Sequence, residues 1–62
     1  MPKFSAEEKL DCAMRELKMR QRVYPNRVLT QRMTERQAKR ELELMAEIRD
    51  DYLELSNRDR LL

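Results

Sequence analysis

The sequence predicts an all-α fold: a two-helix antiparallel hairpin, with a short proline-started helical turn in the connection, that dimerises into a four-helix bundle. Three observations carry this reading. The 62 residues include no glycine and only two prolines, which denies a turn-rich β architecture its turn residues, and 42% of them are charged, as long helices favour. Apolar residues recur at spacings of three and four in two stretches, each introduced by Ser or Thr with Glu or Gln three positions on. The second stretch is also apolar around more of its circumference than one neighbouring helix covers.

The first helix is expected over about 6–24. Ser5 and Glu8 form a capping box, Glu7, Glu8 and Asp11 place negative charge where the helix dipole favours it, and Pro25 disfavours helical geometry at Tyr24. Ala6, Leu10, Ala13, Met14, Leu17 and Tyr24, with Gln21, share a stripe roughly 100° wide. Cys12, Met19 and Val23 form a smaller patch on the far side. The connection spans 25–33, with Pro25 at the first position of a short helical turn and Val28 and Leu29 tucked beneath it.

Thr34 and Gln37 repeat the capping pattern for a second helix over about 35–57, followed by a frayed terminus at 58–62. Ala38, Leu42, Met45, Ile48, Tyr52 and Leu55 line one face, and Leu44, Ala46 and Leu53 widen it to about 200°. Arg49 falls inside this arc. Antiparallel pairing brings it close to Leu10 with Glu7, Glu8 and Asp11 in reach, sets Leu17 opposite Leu42 and Met14 opposite Met45, and leaves Ala6 or Phe4 near Tyr52. A single hairpin of this length has one apolar layer and nothing to close it, so Leu42, Leu44, Met45, Ile48, Arg49, Tyr52, Leu53 and Leu55 are the expected self-association residues of a homodimer.

Charge is sorted along the chain. Residues 15–40 hold nine bases and two acids, a net of +7, whereas residues 41–55 hold six acids and one base, a net of −5. The basic block covers the closed tip of the hairpin. Arg20, Arg22, Arg27, Arg32, Arg36, Lys39 and Arg40, together with Lys18, are the candidate partner-binding residues there. Arg36, Lys39 and Arg40 sit at a helix start, where the dipole disfavours positive charge, so a partner or a dimer mate has to account for them. Solvated helix surface, or pairing with Glu41, Glu43 and Glu47 on neighbouring turns and a dimer mate, is the first expectation for these bases, an acidic protein partner the second, and nucleic acid, bound through phosphates, the third.

Other chemistry is excluded by composition. One cysteine and no histidine leave neither a disulfide framework nor the usual zinc ligands, and the absence of glycine removes phosphate-cradling and oxyanion loops. Glu47, Asp50, Asp51 and Glu54 share a face with no carbonyl cage for a divalent cation. No cofactor, no metal and no catalytic residue are expected, and the chain reads as a non-enzyme. The longest apolar run, Leu44-Met45-Ala46, is far short of a membrane span, and the first five residues lack the apolar core of a leader. With a single free thiol, a cytoplasmic location is expected.

The run Cys12-Ala13-Met14-Arg15-Glu16-Leu17-Lys18-Met19-Arg20, continuing through Val23-Tyr24-Pro25 to Arg32-Met33-Thr34, resembles small uncharacterised helical proteins encoded by phages and prophages of Gram-negative bacteria. In those, an arginine-rich helix ends in the same Val-Tyr-Pro and a second helix follows an Arg-Met-Thr-like cap. The resemblance covers roughly residues 8–52 and departs at Gln31, where a glycine is common. It implies a phage context, hence the host cytoplasm, and an accessory role in binding and modulating a host protein such as a defence component. It carries no active-site residues to transfer.

Overall fold

The computed structural model describes residues 2–61, in which two helices, α1 (Ala6–Leu29) and α2 (Glu35–Leu61), fold back on each other as a hairpin. No strand is present among the described residues. Both helices begin where the sequence places a capping box. The Ser5 hydroxyl accepts from the Glu8 N–H at 3.1 Å and the Ser5 N–H donates to Glu8 Oε1 at 3.3 Å. Thr34 and Gln37 make the reciprocal pair at 3.0 Å in both directions. Two otherwise orphaned backbone donors are satisfied at each start, which fixes where the chain enters each helix.

Helix α1 does not stop at Tyr24. It runs through Pro25 to Leu29, so the separate turn expected in the connection is the last turn of α1, and the loop shortens to residues 30–34. The proline ring fixes a helical φ for its own residue, and the one hydrogen bond it removes is that of the Gln21 carbonyl. Gln21 and Pro25 are both exposed, so water can take that bond, while Tyr24 and Val28 on the inner side gain burial by continuing. Thr30 then closes the helix. Its N–H donates to Asn26 O at 2.9 Å, its hydroxyl donates to the same oxygen at 3.0 Å, and the N–H groups of Gln31 and Arg32 donate to Val28 O and Arg27 O. That pattern requires a left-handed residue after the cap, and Gln31 supplies it at φ 61°. A side chain there costs on the order of 1–2 kcal/mol, which glycine avoids.

Helix α2 also outruns its expected end near Asn57 and stays helical through Leu61. Asn57 has no glycine or proline after it to enforce a stop. Glu54 and Arg58, one turn apart, pair at 2.9 Å, Arg60 reaches back to Glu7 on α1 at 3.7 Å, and Ser56 is buried. Residues 58–61, expected to fray, are helical in the structure, and Leu62 lies outside the described residues.

The core is one line of side chains. Ala13, Leu17 and Met45 form its centre with Leu42 and Ala46 half-buried against them, while Ala6, Leu10, Tyr24, Ala38 and Ser56 extend it towards the two ends. Four of the eight buried residues are Ala or Ser, so the helices approach closely but each contact removes little apolar surface. Among the described residues no side chain is wholly enclosed. Met14, expected opposite Met45, lies beside the contact line and is exposed, because α2 sits over the Ala13–Leu17 side of the stripe. Lys9 lies over the Tyr52 ring at 5.8 Å.

The resulting rod measures 47 × 18 × 17 Å and exposes 5527 Å². A compact monomer of its 7.6 kDa mass would expose about 4,300 Å². If α1 is continuous through residue 25, Pro25→Ala removes an interior-helix penalty of up to about 3 kcal/mol and raises Tm. If Pro25 instead opens a separate turn, the same substitution leaves Tm unchanged or lowers it.

Candidate partner-binding surfaces

The expected tip residues do not behave as one group. Arg20 is turned inwards and locked: its Nε donates to Glu16 Oε1 at 3.0 Å, and its Nη1 donates to the backbone oxygen of Glu41 at 3.1 Å with Glu41 Oε2 at 3.7 Å. It joins α1 to α2 and, unlike the other expected tip bases, is mostly covered. Arg27 lies over the ring of the buried Tyr24 at 5.7 Å. Arg22, Arg32, Arg36, Lys39 and Arg40 are exposed, and helical periodicity puts Arg36, Lys39 and Arg40, at spacings of three and four, on one face of α2.

An apolar groove opens beside Lys39. Pro25, Val28 and Leu29 at the end of α1 face Ala38 and Leu42 near the start of α2 across about 800 Å³, with Lys39, Glu35 and Glu43 on the walls. Its size falls in the range of ordinary ligand clefts. Neither the groove nor the lock was read from sequence, and the groove depends on α1 continuing past Pro25. The signal for Arg20 was available: it is one turn from Glu16 and falls between Leu17 and Tyr24 along the buried stripe.

The expected self-association residues divide as well. Met45 belongs to the chain's own core, and Leu42 packs against it. Tyr52 is half-buried beneath Lys9. Arg49 does not reach Glu7, Glu8 or Asp11. Its Nη2 pairs with the adjacent Asp50 at 2.8 Å, because Glu8 is held by its cap and Glu7 by Arg60. Leu44, Ile48, Leu53 and Leu55 remain exposed. Of the acidic face, Asp50 holds Arg49 and Glu54 holds Arg58, and no cluster of His, Cys, Asp or Glu suited to a metal ion occurs among the described residues.

Cys12 is exposed and sits between two cavities on one side of the hairpin. One, of about 310 Å³, is lined by Lys9, Cys12, Ala13 and Glu16 from α1 and by Ile48 and Tyr52 from α2. The other, of about 420 Å³, brings in Phe4. Cys12 of the far-side patch of α1 and Ile48 of the surplus flank of α2 thus line one cavity. No described helix is long and apolar enough to cross a membrane. Compared with protein-family models, curated proteins and solved structures, the chain matches none.

The lock and the neighbouring pair differ in their effect on stability. Arg20→Met removes a half-buried charged donor shared by two helices and should cost about 1–2 kcal/mol, lowering Tm by several degrees. Arg49→Met removes an exposed pair between adjacent residues and should change stability by less than about 0.5 kcal/mol. Thermal denaturation of both variants compares them directly.

Proposed function

We propose that this chain is a non-enzymatic protein-binding module that self-associates, and that its tip captures an acidic, amphipathic helix of another protein. The observation that carries the reading is the apolar groove at the basic tip. A helix laid in it sets its apolar side on Pro25, Val28, Leu29 and Leu42 and an acidic residue against Lys39, with Arg32, Arg36 and Arg40 exposed on the tip outside the groove to attract it, the helix-in-groove mode of recognition. The resemblance to phage-encoded proteins favours a host protein, such as a defence component, as the source of that helix, with the encounter in the host cytoplasm.

Nucleic acid suits the same tip less well. Phosphates gain nothing from an apolar floor, and the one aromatic residue of this region, Tyr24, is buried and offers no platform for base stacking. Fluorescence anisotropy separates the two ligands, using an acidic Glu/Leu/Ala helical peptide, a random duplex and a hairpin RNA across a salt series. The expected result is peptide binding that weakens about tenfold or more, a loss of at least about 1.4 kcal/mol, in Leu29→Asp and in the triple variant Arg36→Glu/Lys39→Glu/Arg40→Glu. Binding of RNA or duplex with a steep salt dependence and no peptide binding would overturn the proposal in favour of a nucleic-acid partner. Binding of neither would overturn both.

A further inference from the structure

Two apolar flanks run along the hairpin, one on each side of the contact between its helices. On one flank Leu42 and Ala46 are already half-covered by the core cluster, and Arg49 interrupts the line. On the other, Leu44, Ile48 and Leu55 stand in register and are 43%, 36% and 42% exposed. At 100° per residue these three lie within about 40° of one another and roughly a quarter turn from the Ala38–Met45–Ser56 line that faces α1. On α1, Glu16 and Val23 lie about a quarter turn from the buried line and Cys12 slightly beyond. The cavity that joins Cys12 and Glu16 to Ile48 and Tyr52 places both quarter-turn faces on the same side of the molecule. A square four-helix arrangement needs a second contact face at that angle on each helix.

We propose that a second copy of this chain covers this face, running antiparallel, with the two-fold axis passing beside Cys12. The inference rests on the self-association in the proposed function and specifies its geometry. Area supports it: the excess of roughly 1,200 Å² over a compact monomer exceeds the roughly 800 Å² per partner that a standard interface buries. Register places the axis. Self-overlap of the Leu44–Leu55 stripe centres on the level between Arg49 and Asp50. The hairpin sets Lys9 beside Tyr52 and Arg20 beside Glu41, so the same level on α1 falls at Asp11 and Cys12. Charge sets the direction. The tip-ward part of each chain, residues 12–49, carries ten bases against five acids, a net of +5. The open part, residues 2–11 and 50–61, carries seven acids against four bases, a net of −3. Antiparallel copies lay +5 beside −3 twice, whereas copies with tips together lay like beside like.

Sedimentation and thiol mapping of the full chain test this. The expected result is a dimer that a short bismaleimide links through Cys12, and that Ile48→Glu dissociates with about a hundredfold weaker self-affinity, while Leu53→Glu on the opposite flank leaves it intact. In a Cys12→Ser background, Met14→Cys on the other flank and Thr30→Cys at the tip should not link. A monomer at high concentration, or linkage through Met14→Cys or Thr30→Cys in place of Cys12, overturns the proposal. Because the mapping uses wild-type contacts, it does not depend on whether Ile48→Glu folds. The triple tip variant should keep the Cys12 link, so loss of peptide binding with the link retained counts against the tip reading alone and leaves the dimer standing.

Discussion

The structure depends on one mismatch: a single line of contact between two helices, set against an apolar surface on α2 that extends well beyond that line. A helix covers about a third of its neighbour's circumference, and here the covering is done with alanine and serine at half of the buried positions. Close approach of the backbones leaves Leu44, Ile48, Leu53 and Leu55 outside the contact. Full burial of each such side chain is worth about 1.5–3 kcal/mol, comparable with the whole net stability of a chain this small. The hairpin alone therefore leaves a large part of its available driving force unused.

Charge sorting works on the same scaffold at two ranges. At short range it supplies the lock at the middle of the hairpin, where an arginine from the basic block meets a glutamate at the start of the acidic block, Arg20 with Glu41. At long range it polarises the rod between tip and open end. Exposed charges separated by more than about 10 Å are screened at ordinary ionic strength, so this polarity selects the direction in which partners dock more than it adds to the stability of the folded chain. The bases at the start of α2, Arg36, Lys39 and Arg40, are unfavourable for the helix dipole and exposed.

Much of this fold was legible in the residues. Ser5–Glu8 and Thr34–Gln37 announced both helix starts, and the three-and-four spacing announced the buried line through Leu10, Ala13, Leu17 and Met45. Helix ends were less legible, because they are decided by what lies across the groove. Pro25 reads as a stop, yet burial of Tyr24 and Val28 and closure by Thr30 outweigh one lost hydrogen bond. Gln31 does not read as a left-handed residue, and it adopts φ 61° because the turn demands it. Arg49 looked interhelical by its place on the wheel, but its adjacent carboxylate was nearer than any across the hairpin. The tip groove followed from the length of α1, which periodicity alone does not determine.

The central claim is that folding of this chain is completed by association. The most direct measurement is the thermal unfolding midpoint followed by circular dichroism over a wide dilution series. An association-coupled fold predicts a midpoint that falls steadily as the protein is diluted, by mass action. A sharp, cooperative transition at the same temperature across the whole series would contradict it.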